Sequence, residues 1–364
     1  MHPFTLSHPE TVLSPSLLFG WDGIRSNLAR MLEIAGSPSR LRPHMKTHKT
    51  REITQLYLEA GITRHKCATL KEAEVLAACG VTDILIAYPM VGPNQQRLCQ
   101  LAQRFPNSRF ACLGDDEQIL LQLHQTTSQH NVKLGLFLDL NVGQDRTGML
   151  QLPNWLPKLR DWPQLTLVGI HLYDGNNTST VAAERQALAQ RTIQRACEVR
   201  DALQGYASSP LEIVLGGTPA FMLLAHTIRD SHVTLSPGTC ILHDAGYGQK
   251  YPELGFVPAA AVLTRCISRP ATNLLTFDIG TKAICADPPF GQRVHLLGLE
   301  EAPCTLHNEE HYVVKTEDAA RWYPGQVTYA IPKHICPTVA MYSYAHIVED
   351  GRITRTIEIA ARGR

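Results

Sequence analysis

Apolar and polar positions alternate in two registers along the first two thirds of the chain. Short apolar runs of strand type are predicted at Arg40–Met45, His65–Ala68, Ile84–Tyr88, Arg109–Leu113 and Leu134–Asp139. Three more follow at Leu165–Leu172, Glu212–Leu215 and Val233–Ser236. Segments with apolar residues three and four apart lie between them: Leu70–Cys79, Gln95–Arg104, Asp116–Ser128 and Ala182–Leu203. Gly61, Gly80 and Pro106 punctuate the joins. This even alternation predicts an α/β fold, a TIM-like (β/α)8 barrel over residues 14–245. A doubly wound sheet is the alternative, disfavoured by the regular spacing and by the lack of a G-x-G-x-x-G turn.

The pattern changes near Gly246. Strand-like runs then crowd together at Val257–Leu263, Leu274–Asp278, His295–Leu299, Tyr312–Val314, Gln326–Ala330, Ala345–Val348 and Thr354–Ile359. Helical spacing is nearly absent, so residues 246–364 are expected to form an antiparallel β domain. Residues 1–13 include an extended-looking stretch, Thr5–Leu13, expected to pair with it.

Composition narrows the function classes. A chain of 364 residues with 44% hydrophobic content suits two domains with a large core. A net charge of +1 gives no electrostatic reason to expect nucleic acid or an anionic membrane as partner. No apolar run approaches the roughly 20 residues of a membrane span. The N-terminal residues do not read as a secretory signal. Ten cysteines without C-x-x-C pairs read as reduced thiols rather than a disulfide framework. The expectation is a cytoplasmic enzyme, and the sequon at Asn176 carries no weight.

The candidate chemistry begins at R-P-H-M-K-T-H-K, Arg42–Lys49, at the end of the first predicted strand. On a persisting strand His44, Lys46 and His48 share one side. Lys46 is read either as an exposed strand-end lysine or as an amine that condenses with a carbonyl cofactor. G-G-T-P (Gly216–Pro219) follows the seventh strand and P-G-T (Pro237–Thr239) the eighth, where barrels place phosphate sites. Their glycines allow close approach, and a helix starting at Pro219 would add its positive end. Arg146, after the fifth strand, suits a phenolate or carboxylate, or a surface ion pair. Tyr173, after the sixth, suits a phosphate or simple packing.

His334 and Cys336 stand at i and i+2. On a strand they would share a face, and imidazole with thiolate is a zinc-type pair; the bland alternative is a chance spacing with a buried thiol.

These segments resemble a known family. R-P-H-M-K-T-H-K-T is similar to the lysine motif of the D-threonine aldolase and D-serine dehydratase family, part of the alanine-racemase-like, fold type III enzymes of pyridoxal phosphate. C-A-T-L-K-E-A-E-V-L at Cys67–Leu76, G-I-H-L-Y-D-G at Gly169–Gly175 and D-I-G-T-K-A at Asp278–Ala283 accompany it. N-E-E-H at Asn308–His311 and P-K-H-I-C-P-T-V at Pro332–Val339 complete the set, in family order over most of the chain.

The resemblance implies that Lys46 forms the Schiff base with pyridoxal 5'-phosphate. It places Tyr173, Gly216, Gly217, Thr218, Gly238 and Thr239 in the phosphate-binding segments and Arg146 beside the cofactor ring. It implies a divalent metal at His334 and Cys336, with Lys46 and His334 carrying catalysis and Glu310 and His311 as candidates for the neighbouring shell. Aldolase members carry His-x-Asp followed by P-T-V, and dehydratase members carry His-x-Cys with zinc. This chain combines the cysteine of one with the P-T-V of the other. The thiolate favours zinc over manganese or magnesium.

The reading is a lyase acting on small β-hydroxy-D-amino acids, of the D-threonine aldolase type, with D-serine dehydratase chemistry as the alternative. An amino-acid racemase or a non-catalytic pyridoxal-phosphate-binding protein fits less well, because neither needs the metal pair. A homodimer is implied by resemblance alone.

Overall fold

The computed structural model describes residues 2–228 and 230–364. The chain divides into two compact units. One holds Leu32–Lys46 and Arg51–Gly238 with the last two residues; the other holds the residues up to Met31, Thr47–Thr50 and Thr239–Arg362.

The first strand, β1 (Ser16–Gly20), is followed by the helix Trp21–Ala35. The next seven strands form one parallel sheet in sequence order. They are β2 (Arg64–Cys67), β3 (Asp83–Pro89), β4 (Arg109–Gly114), β5 (Leu134–Leu140), β6 (Leu165–Leu172), β7 (Glu212–Leu215) and β8 (Val233–Leu235). The expected first strand, Arg40–Met45, is not regular. Leu41 bridges Leu235 of β8, and His44 bridges Lys66 of β2, both parallel. Hydrogen bonds run from Arg42 N–H to Leu235 O and from Met45 N–H to Lys66 O. The segment therefore joins the two ends of the sheet and closes the barrel. Pro43 has no N–H to give, which keeps the ladder from becoming continuous.

Arg42 secures this seam. Its buried guanidinium contacts Asp83 Oδ1 at 2.7 Å and Glu212 Oε2 at 2.8 Å, so the charge is taken out of water only with partners in place. Its Cζ lies 5.7 Å from the centroid of the Phe137 ring. Phe137 packs with Leu85, Ala111, Leu113 and Val214. Gly169 makes room for it: a Cβ there would meet the ring at 2.5 Å.

The helices of this unit fall where the spacing predicts them, at Leu70–Ala78, Pro93–Arg104, Glu117–Gln129 and Ala182–Leu203. Thr69 and Asp116 cap two of them, each side chain accepting a backbone N–H three residues on. The helix expected from Pro219 begins later, at Phe221, and runs to Thr227. Between β5 and β6 the chain makes a loop and a 3-10 turn, Leu156–Asp161, in place of an α-helix.

The second unit is a nine-stranded sheet. It holds β1 with β9 (Ala260–Ala271), β10 (Leu274–Phe277), β11 (Val294–Leu296), β12 (Cys304–His307), β13 (Tyr312–Lys315), β14 (Val327–Pro332), β15 (Tyr344–Glu349) and β16 (Arg352–Glu358). Pairing is antiparallel except between β1 and β15, which run parallel. Residues 16–20, grouped with the barrel by sequence, thus pair in this sheet. Their buried, non-alternating S-L-L-F-G pattern suits a strand covered on both faces. Residues 5–13 add no strand. Phe4 and Leu6 instead pack on Leu18, Leu263, Tyr329 and Val348, and Leu6 N–H donates to Tyr329 Oη at 2.9 Å.

Candidate active site

In the barrel unit the candidate groups sit at the C-terminal ends of the parallel strands, the end where barrel enzymes carry their chemistry. Lys46 ends the closing segment, its backbone N–H donating to His44 Nδ1 at 3.2 Å. Its side chain is half-buried, and no ion pair forms to it among the described residues. Its Nζ lies 5.7 Å from the centroid of Tyr173, the residue after β6. Arg146 reaches the same ring, at 4.9 Å. The loop carrying Arg146 is anchored at its base, with Met149 N–H donating to Asp139 O and Asn141 N–H to Met149 O.

Beside these groups lies a network that motif reading missed. Asp139 on β5 and His171 on β6 are direct cross-strand partners. His171 Nδ1 contacts Asp139 Oδ1 at 2.7 Å, and Thr147 Oγ1 donates to Asp139 Oδ2 at 2.7 Å. With the carboxylate holding Nδ1–H, the Nε2 lone pair faces Lys66 Nζ, 3.5 Å away. Burial holds His171 below its ordinary pKa against the pull of Asp139. Burial likewise raises Asp174, next to Tyr173, to about 6.

Lys66 is only 2% exposed. Burial first, and then the neighbouring Lys46, bring its ammonium down to about 7. Between that value and the ordinary lysine pKa near ~10.4, the unfolded chain binds a proton that the native state has released. Stability contributed at this site therefore rises with pH across that window. Lys66→Met is expected to stabilise the protein most near pH 7 and progressively less towards about pH 10. Urea midpoints of both proteins across that range check it; a constant difference would show that no proton is linked to folding at Lys66.

The two Gly-rich turns lie as expected after β7 and β8. Gly216 adopts φ +80°, which favours glycine, and a Cβ on Gly217 would crowd the Tyr173 ring at 3.1 Å. Thr218 is buried. Gly238 ends the barrel unit, and Thr239 opens a 3-10 turn of the other unit. There its hydroxyl lies 3.6 Å from Cys336 Sγ.

In the sheet unit, His334 and Cys336 are brought together by a different local structure from the expected strand. β14 ends at Pro332, His334 is the N-cap of the helix Ile335–Met341, and Cys336 lies in its first turn. Pro337 fits that first turn, where a missing N–H costs nothing. Asp244 Oδ2 accepts from Ile335 N–H at 3.2 Å and holds the helix start. Thr47 Oγ1 lies 3.2 Å from Cys336 Sγ.

Two residues not singled out by sequence complete the cluster. His334 Nδ1 contacts Asp287 Oδ2, and Cys285 Sγ donates to Asp287 Oδ1. One donor atom each from Cys285, Asp287 and His334 lies within 4.8 Å of the others. Burial works against a proton on His334, but Cys336 and Asp287 outweigh it and raise its pKa to about 9. Thiol, carboxylate and imidazole make a donor set suited to zinc. Glu310 and His311 are both exposed; Glu310 pairs with Lys282 at 3.3 Å, and His311 N–H donates to Asn308 Oδ1.

Comparison with known proteins agrees with this geometry. Residues 21–243 match the family model "Alanine racemase, N-terminal domain", and residues 259–348 match "Putative serine dehydratase domain". A D-threonine aldolase of Arthrobacter sp is 28% identical over 96% of this chain and 93% of its own length. A D-threo-3-hydroxyaspartate dehydratase of Delftia sp. is 25% identical over 94% of this chain and 96% of its own. The crystal structure of a D-threonine aldolase from Filomicrobium marinum superposes with a TM-score of 0.86 at 25% identity, covering 97% of this chain and 96% of that one. With the barrel, the lysine at its closing segment and a match over more than half its length, the chain belongs to the alanine-racemase-like family, on the side that holds the D-threonine aldolases and D-serine dehydratases.

Proposed function

We propose that this chain is a pyridoxal-phosphate-dependent lyase of small β-hydroxy-D-amino acids, cleaving them in the manner of a D-threonine aldolase to glycine and an aldehyde. The observation that carries the reading is the pairing, in one chain, of a half-buried barrel amine without an ion pair among the described residues and a soft His–Cys–Asp donor cluster. A racemase needs the first and has no use for the second. The second reading, dehydration to a 2-oxo acid and ammonia, is favoured by one observation: the sulfur donor at Cys336, with related dehydratases among the similar proteins.

The residues present fit the cofactor. Lys46 offers an amine with no carboxylate paired to it among the described residues, and the Gly216–Thr218 and Gly238–Thr239 turns offer backbone N–H groups and threonine hydroxyls for a phosphoryl group. Tyr173 and Arg146 lie where they would support and orient a ring. Pyridoxal phosphate supplies, when bound, a sink for the electron pair released from a bond at the substrate Cα. Lys46 Nζ is the group that attaches it and, in the dehydration route, takes the Cα proton. His171 is held by Asp139 in one tautomer and so presents a fixed acceptor to Lys66. His334 and Cys336 would hold a divalent ion, zinc by the softness of the thiolate, whose positive charge suits a developing alkoxide at the β-oxygen. The same reading makes the protein a cytoplasmic homodimer, which sedimentation at working concentration would test. No helix is long and apolar enough to cross a membrane.

Incubation of the cofactor-loaded, zinc-supplemented protein with D-threonine tests the reading. Glycine with acetaldehyde is expected. Release of 2-oxobutyrate and ammonia would transfer the assignment to dehydration, and appearance of L-allo-threonine, the Cα epimer, without glycine or acetaldehyde would overturn the lyase reading.

A further inference from the structure

Cys285, Asp287 and His334 stand in series. Cys285 Sγ donates to Asp287 Oδ1, and Asp287 Oδ2 contacts His334 Nδ1. Cys336 is outside that series and bonds the His334 side chain directly. The carboxylate thus gives one oxygen to each neighbour, and the Cys285 thiol gives its proton to the carboxylate. Of the three residues in series, His334 keeps a nitrogen, Nε2, that neither of the other two engages.

The series is anchored from behind. Asp287 stands in the loop that follows β10. Ile284 of that loop is fully buried, and its N–H donates to Gly280 O at 3.1 Å. Cys285 is only 2% exposed; its N–H donates to Thr338 Oγ1 at 3.2 Å, and Thr338 Oγ1 donates onward to His334 O at 3.1 Å. Tyr342 Oη donates to Ala283 O at 2.7 Å. Just beyond Asp287, Arg293 Nε donates to Pro288 O at 2.9 Å. All these residues belong to one compact unit. An Asp–His pair held only by its own contact would gain little in a half-exposed position. Here the backbone behind both partners is fixed, so the carboxylate meets the ring in one geometry.

We infer that Asp287 is the positioning residue of the metal centre. Its carboxylate holds His334 Nδ1–H, fixes the ring in the tautomer with Nε2 unprotonated, and presents that nitrogen to an ion shared with Cys336. Cys285 is the buried donor that holds the carboxylate and is not itself a ligand. Metal-binding histidines donate their second ring N–H to such a group, which orients the ring and makes the other nitrogen a stronger donor. Zinc entry sends any proton on Nε2 to solvent and leaves the Nδ1–H with Asp287. The inference rests on the reading that His334 and Cys336 hold the ion.

Zinc affinity, measured by chelator competition on the cofactor-loaded protein, tests it. Asp287→Ala should lose roughly 10- to 100-fold, the cost of an outer-shell partner. Asp287→Asn keeps an oxygen that accepts from Nδ1–H and should recover part of that loss, whereas a carboxylate bound to zinc itself would show no recovery. Asp287→Asn also serves where the alanine variant melts early. Cys285→Ser keeps a donor to Asp287 and should bind zinc nearly as the wild type does. X-ray absorption at the zinc edge should count one sulfur at about 2.3 Å in both. A readout closer to the ring is the His334 Nδ1–H resonance in histidine-labelled, zinc-loaded protein, assigned by its absence in His334→Ala. It should be visible in the wild type and lost to exchange in Asp287→Ala. Equal zinc affinity in wild type and Asp287→Ala, with His334→Ala alone impaired, would overturn the positioning role and leave the His334–Cys336 site standing. Two sulfurs in the wild type and one in Cys285→Ser would make Cys285 a ligand and overturn it as well. Zinc binding that ignores His334→Ala would remove the metal reading and this inference with it.

Discussion

Replacement of Lys46 by alanine should abolish the visible absorbance of the bound cofactor and lower turnover by about 10⁴-fold or more, the scale seen when a covalent catalyst loses its nucleophile. Lys46 ends the segment that closes the barrel, and its amine has no ion-pair partner among the described residues. Lys66, although it neighbours Lys46, faces His171 at 3.5 Å and is almost wholly buried, so it is not placed to take over the attachment. Lys46→Arg should behave like the alanine variant, since a guanidinium keeps the charge but does not condense with an aldehyde at neutral pH. An unchanged spectrum in Lys46→Ala, read beside the wild type at equal cofactor loading, would refute the assignment.

His334→Ala is the second large effect, and it should separate cleanly from the first. The cofactor spectrum should persist, because every group assigned to the cofactor other than Thr239 lies in the barrel unit, whereas His334 lies in the sheet unit. Turnover should fall by about 10²- to 10³-fold at ordinary zinc and recover in part at high added metal, as expected when a ligand rather than the framework is lost. Turnover against zinc concentration at fixed cofactor checks it. Activity that ignores both the substitution and added chelator would refute a metal that takes part in the chemistry.

Most of the barrel was legible because its strands are continuous apolar runs separated by helices of ordinary length, and both patterns survive in a single sequence. The helices Leu70–Ala78 and Ala182–Leu203 fall within a residue of their predicted limits. The closing segment was legible as apolar and extended, but its irregularity follows from Pro43 and from pairing at both edges, which no local window reports. β1 was missed because five residues, four of them buried, running into a helix carry too little period to register, and its partners lie more than 240 residues away.

The candidate site was legible at Lys46, whose motif is distinctive, and at the glycine turns, which follow strands. The candidate donor cluster at His334 was only half legible. His334 and Cys336 were read on a strand, whereas Pro332 ends the ladder and Pro337 suits the first turn of a helix. Both signals stood in P-K-H-I-C-P-T-V. Asp287 lies 47 residues before His334, and C-A-D in a loop has no periodicity to mark it. Bonds from Thr338 and Tyr342 hold that loop to the helix. Asp139 and His171 form a similar case: each sits on a predicted strand, but their pairing depends on parallel register, which spacing along the chain does not specify.

The central claim is that Lys46 is the amine that holds pyridoxal phosphate. Borohydride reduction of the loaded enzyme fixes the cofactor to whichever amine carries it, and peptide mass mapping then locates that amine. The pyridoxyl group is expected on the peptide containing Lys46 and should be wholly absent in Lys46→Ala. The group on Lys66, or on no lysine of the barrel, would contradict it.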